Sequence, residues 1–135
     1  MITIMITIST RPEHKMVIAH MSGLLTVAEV HQFQREEEQA IRSMGCQSGE
    51  YLLLIDTAGS VIQTQEVVVA LQDLVENGPF KAKRTAVVRP TSLARMQAKR
   101  ILNRDSAMIV NSVEEAEAWL LSTDRDDGDA CNQAG

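Results

Sequence analysis

Five consecutive apolar residues, Tyr51-Leu52-Leu53-Leu54-Ile55, run up to Asp56 and stop there. A strand that is apolar on both sides belongs in the middle of a sheet covered on both faces, as parallel sheets are. The small and polar residues Thr57, Ala58, Gly59 and Ser60 predict a turn beyond it. After Gln63-Thr64-Gln65 the spacing of Val67, Val68, Leu71, Leu74 and Val75 is that of a helix. Ligands and partners of such sheets meet the loops beyond the carboxyl ends of the strands. Asp56, Thr57, Ser60, Gln63, Thr64 and Gln65 are therefore the first candidate contact residues.

Strands and helices alternate on either side of this stretch. Ile2, Ile4, Ile6 and Ile8 alternate with Thr3, Met5 and Thr7, the period of a strand with one buried face. The repeated Met-Ile-Thr-Ile also fits a start at Met5, with a shorter strand. Pro12 marks a turn, and Lys15 to Met21 reads as a second, antiparallel strand closed by Ser22-Gly23. Thr26 and Glu29 have capping-box spacing and open a helix that carries Val30, Phe33, Ala40, Ile41 and Met44 and stops at Gly45. Glu37 falls inside that apolar stripe. Charged groups are seldom buried, so the helix end is expected to splay and carry Glu37 to solvent; the alternative is an interface or a salt bridge to a basic partner. Asn77-Gly78-Pro79 reads as a helix stop with Gly78 in the left-handed conformation.

Thr85 to Val88 is a short buried strand. Thr91 or Ser92 caps a helix with Leu93, Met96, Ile101 and Leu102, and Ala107 to Val110 is the last strand. Ser112-Val113-Glu114-Glu115 is a second capping box, opening a helix with Ala116, Leu120 and the single tryptophan, Trp119, as its peg onto the sheet. The order β-β-α-β-α-β-α-β-α gives one α/β domain over residues 1–122, with a mixed, mostly parallel five-stranded sheet and an antiparallel N-terminal strand. Aromatic residues are only 3% of the 135, so the core is built from Val, Ile, Leu, Met and Ala. Residues 123–135 are acidic and almost without apolar content, and are expected to be a disordered tail.

Composition narrows function by exclusion. A net charge of −5 opposes wholesale wrapping by nucleic acid. No apolar run approaches the roughly 18 residues that span a bilayer, and Met-Ile-Thr-Ile-Met-Ile-Thr-Ile-Ser-Thr has a strand pattern without the basic leader of a signal peptide. Cys46 and Cys131 form no disulfide framework, which points to a reducing cytoplasm. His14, His20 and His31 have neither metal-ligand spacing nor a carboxylate or thiol companion nearby in sequence. No metal or other cofactor is implied. Cys46 follows a helix C-terminus, where the dipole raises rather than lowers a thiol pKa.

Several segments carry a family likeness: Gly23-Leu24-Leu25-Thr26, Leu52-Leu53-Leu54-Ile55-Asp56, Thr85-Ala86-Val87-Val88 and Ser112-Val113-Glu114-Glu115-Ala116-Glu117-Ala118-Trp119-Leu120. Across residues 2–122 the chain resembles the SpoIIAA-like proteins, which look like STAS domains (anti-sigma-factor antagonists) and share a fold pattern with the lipid-carrying SEC14 group. The resemblance implies a five-stranded mixed sheet and a non-enzymatic role. It also implies a phosphorylated serine in an Asp-Ser-Ser-Gly turn at the helix after the central strand. Here that place reads Gln63-Thr64-Gln65-Glu66, with Thr64 the one hydroxyl.

Thr64 is thus either an N-cap, the usual task of such a threonine, or a phospho-switch whose added charge the helix N-terminus would welcome and Glu66 would oppose. Asp56 resembles the phospho-acceptor of receiver domains, but Ser22-Gly23 stands where those place an acidic pair; its ordinary task is an Asx-type turn accepting amides around Ala58 to Ser60. Lys81, Lys83, Arg84, Arg89, Arg95, Lys99, Arg100 and Arg104 are eight of the 13 basic residues, in a stretch free of acids. This block reads either as a patch for an anionic partner (phosphate-bearing ligand, acidic protein surface or lipid headgroup) or as a patch neutralised from within by the acidic tail or by Glu114, Glu115 and Glu117. Nucleic acid is disfavoured because no aromatic residue lies in the block.

The leading expectation is a regulatory or binding domain without enzymatic activity, acting through protein or small anionic-ligand contacts. The alternatives are a SEC14-like carrier of a lipid or other apolar ligand, for which the seven methionines offer adaptable packing, and an enzyme of undefined chemistry. An exposed apolar strand edge would favour a homodimer.

Overall fold

A computed structural model describes residues 6–60, 63–88, 92–101 and 106–122. Strands β1 (Ile6–Arg11), β2 (Met16–Gly23), β3 (Leu52–Ser60), β4 (Arg84–Val88) and β5 (Ala107–Val110) form one sheet in the order β1-β2-β3-β4-β5. β1 is antiparallel to β2, and all other neighbours are parallel. The helices are α1 (Val27–Ser43), α2 (Gln65–Asn77), α3 (Ser92–Ile101) and α4, residues 113–122. The α/β class, the mixed five-stranded sheet and the element order match the sequence expectation. Ile2, Ile4, Arg89, Thr91, Leu102, Arg104 and the tail from Thr123 lie outside the described residues.

Parallel strands that follow one another in sequence order all cross over in the same direction. With right-handed crossovers this puts α1, α2 and α3 on one face of the sheet. Alternation along each strand then divides the core. Val17, Ala19, Met21 and Leu53 are buried on the face of α1 and α2, with Ile41, Phe33 and Val67. Met16, Ile18, Leu52, Leu54, Ala86, Val88 and Val110 are buried on the other, under Ala116 and Leu120 of α4. The run from Tyr51 to Leu54 is apolar throughout because its side chains enter both layers. Leu120 and Ala116, fully buried, are the pegs of α4; Trp119 is only half-buried and packs at the rim.

Local chemistry sets the boundaries. Thr26 Oγ1 accepts from the Glu29 amide at 3.1 Å and a Glu29 carboxylate oxygen accepts from the Thr26 amide at 2.8 Å, the reciprocal capping box of α1. Ser112 Oγ caps α4 through the Glu115 amide at 3.1 Å, but Glu115 accepts from Asn111 at 3.3 Å, so the return bond reaches one residue further back. Gly45, just past α1, has the left-handed φ of 72° expected of it. Gly78 does not: its φ of −63° suits any residue. Glycine is needed at 78 because a Cβ there would lie 2.5 Å from the Leu74 carbonyl oxygen.

One boundary differs in a way that matters for function. Asp56 to Ser60 form no turn; β3 continues through them to Ser60. His20 pairs with Asp56 and Ser22 with Gly59, so β3 holds one more residue than β2 over this step. Such a bulge twists a strand locally and re-aims its side chains. Thr57 Oγ1 donates to the Val88 carbonyl at 2.8 Å and so ties the extension to β4.

Candidate functional site

At the carboxyl ends of the strands the expected contact residues hold the scaffold together. Thr64 is the N-cap of α2, accepting from the Val67 amide at 3.3 Å, and its side chain is exposed, as is that of Gln65. Gln63 accepts from the Leu25 amide at 2.8 Å and donates to the Gly23 carbonyl at 3.0 Å. Its own amide and carbonyl are bonded by the Gln97 side chain of α3, at 2.8 and 3.0 Å. A carboxylate at 63 could make only the accepting half of this strap, whereas a primary amide makes both. The β2–α1 connection, the start of α2 and the middle of α3 are thereby joined at one residue. Among the described residues four large hydrophobic side chains are exposed, and Leu24, Val69 and Met96 lie on these three joined segments. Met96 is the most exposed, at 61%. Ser60, paired with Gly23, ends β3 beside them.

Asp56 lies within β3 and not at its end. It points to the α4 face, where its register partner is His20, and its Oδ2 lies 3.3 Å from His20 Nδ1. The imidazole is 55% exposed and the carboxylate 18%. A carboxylate held to Nδ1 orients the ring and leaves Nε2 as the outward-facing nitrogen. Sequence spacing hides this pair because the two residues sit on different strands and meet only through parallel register.

His20 lines a cleft of about 250 Å³ between α4 and the β1 side of the sheet. Ile18 and Leu54 form its floor, Val113 lies on the helix side, and Ser9 and Thr10 come from β1. Arg11 of β1 and Glu117 of α4 also line it and are 3.1 Å apart. The cleft exists because one helix cannot roof five strands. Among the described residues no group of three His, Cys, Asp or Glu side chains is arranged to hold a metal ion.

The described members of the basic block are spread over the end of α2, the start of β4 and α3. Lys81 Nζ donates to the carbonyls of Val75 and Glu76, at 2.8 and 2.7 Å, and so closes the C-terminus of α2. Lys99 and Arg100 are exposed in the last turn of α3, where cations complement the helix dipole. Lys83 and Arg84, half-buried, adjoin the start of β4, and Arg95 is half-exposed on α3. Arg89 and Arg104 are outside the described residues. Part of the charge concentration thus answers to helix ends.

Glu37 overturns its expectation. The helix does not splay: Glu37 is 5% exposed, in the stripe of Val30, Phe33 and Ile41. Among the described residues no hydrogen bond or ion pair holds its carboxylate. Burial, assisted by the neighbouring charge of Glu38, pushes its pKa up from 4.5 to about 7.

The chain matches no known protein-family model and no curated protein.

Proposed function

We propose that the protein is a regulatory binding domain of the SpoIIAA-like, STAS-related type, acting through protein contacts at the carboxyl ends of β2 and β3 rather than through catalysis. The observation that carries this is the grouping of exposed Leu24, Val69 and Met96 on the three segments joined by Gln63. Exposed large apolar side chains on loops and helix ends braced by a shared strap are candidates for interaction. The resemblance stated from the sequence points to the same end of the sheet. Thr64 is the hydroxyl through which a kinase could act there, at the cost of the α2 cap. Met108, 42% exposed on the outer strand β5, favours a homodimer through that edge as a further partner arrangement.

The test is capture of a partner from a cell extract by the immobilised protein, repeated with Leu24→Asp and Met96→Asp. Both substitutions are at exposed positions and should leave the melting temperature unchanged. A captured protein that both variants lose supports the surface; equal capture by all three removes it.

A carrier of a lipid or other apolar ligand has the Ile18 and Leu54 floor in its favour. At about 250 Å³ the cleft is smaller than the roughly 300–1,000 Å³ of pockets that enclose drug-sized ligands, so a two-chain lipid does not fit. Native mass spectrometry of protein purified from cells would show a copurifying lipid if this were wrong. An enzymatic reading rests on the His20–Asp56 pair, and turnover abolished by Asp56→Asn would establish it.

No helix among the described residues is long and apolar enough to cross a membrane. Cysteine usage favours a cytoplasmic setting.

A further inference from the structure

We infer that the cleft between β1 and α4 binds a small aliphatic zwitterion, of the class of free α-amino acids with an apolar side chain, by inserting its two charges between Arg11 and Glu117. This site lies on the face of the sheet opposite α1 and α2 and is independent of the protein-contact surface around Gln63.

Arg11 and Glu117 come from elements with no sequence proximity and meet at 3.1 Å across the cleft, with side chains 42% and 29% exposed. Among the described residues neither side chain makes another ion pair or hydrogen bond. An exposed ion pair of this kind contributes little to stability, so it opens at little cost. The opened guanidinium receives a carboxylate in two-pronged fashion, and the opened carboxylate receives an ammonium group. A ligand of one sign would satisfy one half and leave the other unpaired; a zwitterion satisfies both. The pair holds the place of the ligand's charges when the cleft is empty.

The remaining lining fits the rest of such a molecule. Ile18 and Leu54 below and Val113 beside them offer an apolar bed for an aliphatic side chain. His20, held by Asp56, closes the far end. The volume, about 250 Å³, equals that of about eight water molecules at roughly 30 Å³ each. That suits one amino acid and not a peptide.

Isothermal titration at low salt tests this with leucine, isoleucine, valine and methionine. Two one-charge analogues of leucine serve as controls: 4-methylpentanoate, which lacks the amine, and 3-methylbutylamine, which lacks the carboxylate. At least one of the four amino acids should bind, with both analogues more than tenfold weaker than leucine if leucine is the binder. Arg11→Met and Glu117→Gln should each weaken the bound amino acid more than tenfold while leaving the melting temperature and circular dichroism of the wild type. Binding by none of the four, equal binding by leucine and 4-methylpentanoate, or undiminished binding in both variants would each overturn it. Because Leu24 and Met96 are untouched, partner capture stands or falls separately.

Discussion

The two faces of the sheet are built from the same strands and differ in what covers them. On one, α1 and α2 close over Val17, Ala19, Met21 and Leu53, and every described charge is excluded except Glu37. On the other, α4 is the helix among the described residues that covers Ile18, Leu54 and Val88, and the margin beside it holds the Arg11–Glu117 ion pair and the His20–Asp56 contact around a cleft. The more fully roofed face invests its side chains in burial, and Glu37 is the charged residue buried there. The singly roofed face has room for polar side chains at low cost, since water still reaches them. Chemistry concentrates where the roof is thin.

The largest effect should come from weakening that roof. Leu120→Ala removes a fully buried side chain of α4 and should cost about 4 kcal/mol by urea denaturation. Trp119→Ala, at the rim, should cost less; an equal or larger loss would mean that the tryptophan, not the leucine, holds α4 in place.

Next is Glu37, where the thick face should show the cost of its exception. The folded protein keeps a proton that the unfolded chain releases near pH 4.5, and gives it up only near pH 7. The stability associated with that proton is complete below pH 4.5 and is lost as pH rises through about 7. Glu37→Gln should therefore stabilise the protein by about 3 kcal/mol at pH 8 and hardly at all at pH 4.5. A wild-type stability curve that is flat between pH 5 and 8, or one whose slope survives in Glu37→Gln, would assign the burial a different chemistry.

Smaller effects separate scaffold from site. Thr64→Ala removes the α2 cap and should cost about 1 kcal/mol. A much larger loss would mean that the hydroxyl also holds the surface around Gln63. Glu117→Gln should change stability by less than about 1 kcal/mol. A greater loss would show that Arg11 and Glu117 clamp α4 to β1, and would move the thin face toward the logic of the thick one.

Much of the fold was legible because its signals are local. The apolar run before Asp56, the period of two in Ile6 and Ile8, and the Thr26–Glu29 box are short-range patterns with direct physical causes. Less of the site was legible. Asp56 appeared to end a strand because Thr57, Ala58, Gly59 and Ser60 have turn composition, but bonding to β2 and β4 keeps them extended. Gln63 looked like a contact residue, and its amide is used up in joining segments far apart in sequence. His20 and Glu117 carried no signal on their own; only the alternation of β2, which puts His20 on the α4 face with Ile18, could have singled one of them out.

The sequence by itself determined most of the secondary structure, the α/β class and the central place of β3, because periodicity, caps and apolar runs act within a few residues. Only the tertiary structure decided that α4 would roof the face opposite α1 and α2, that Glu37 would be buried, and that His20 would meet Asp56 and Arg11 would meet Glu117. Those outcomes depend on strand register and helix placement, which bring together groups that have no interaction along the chain.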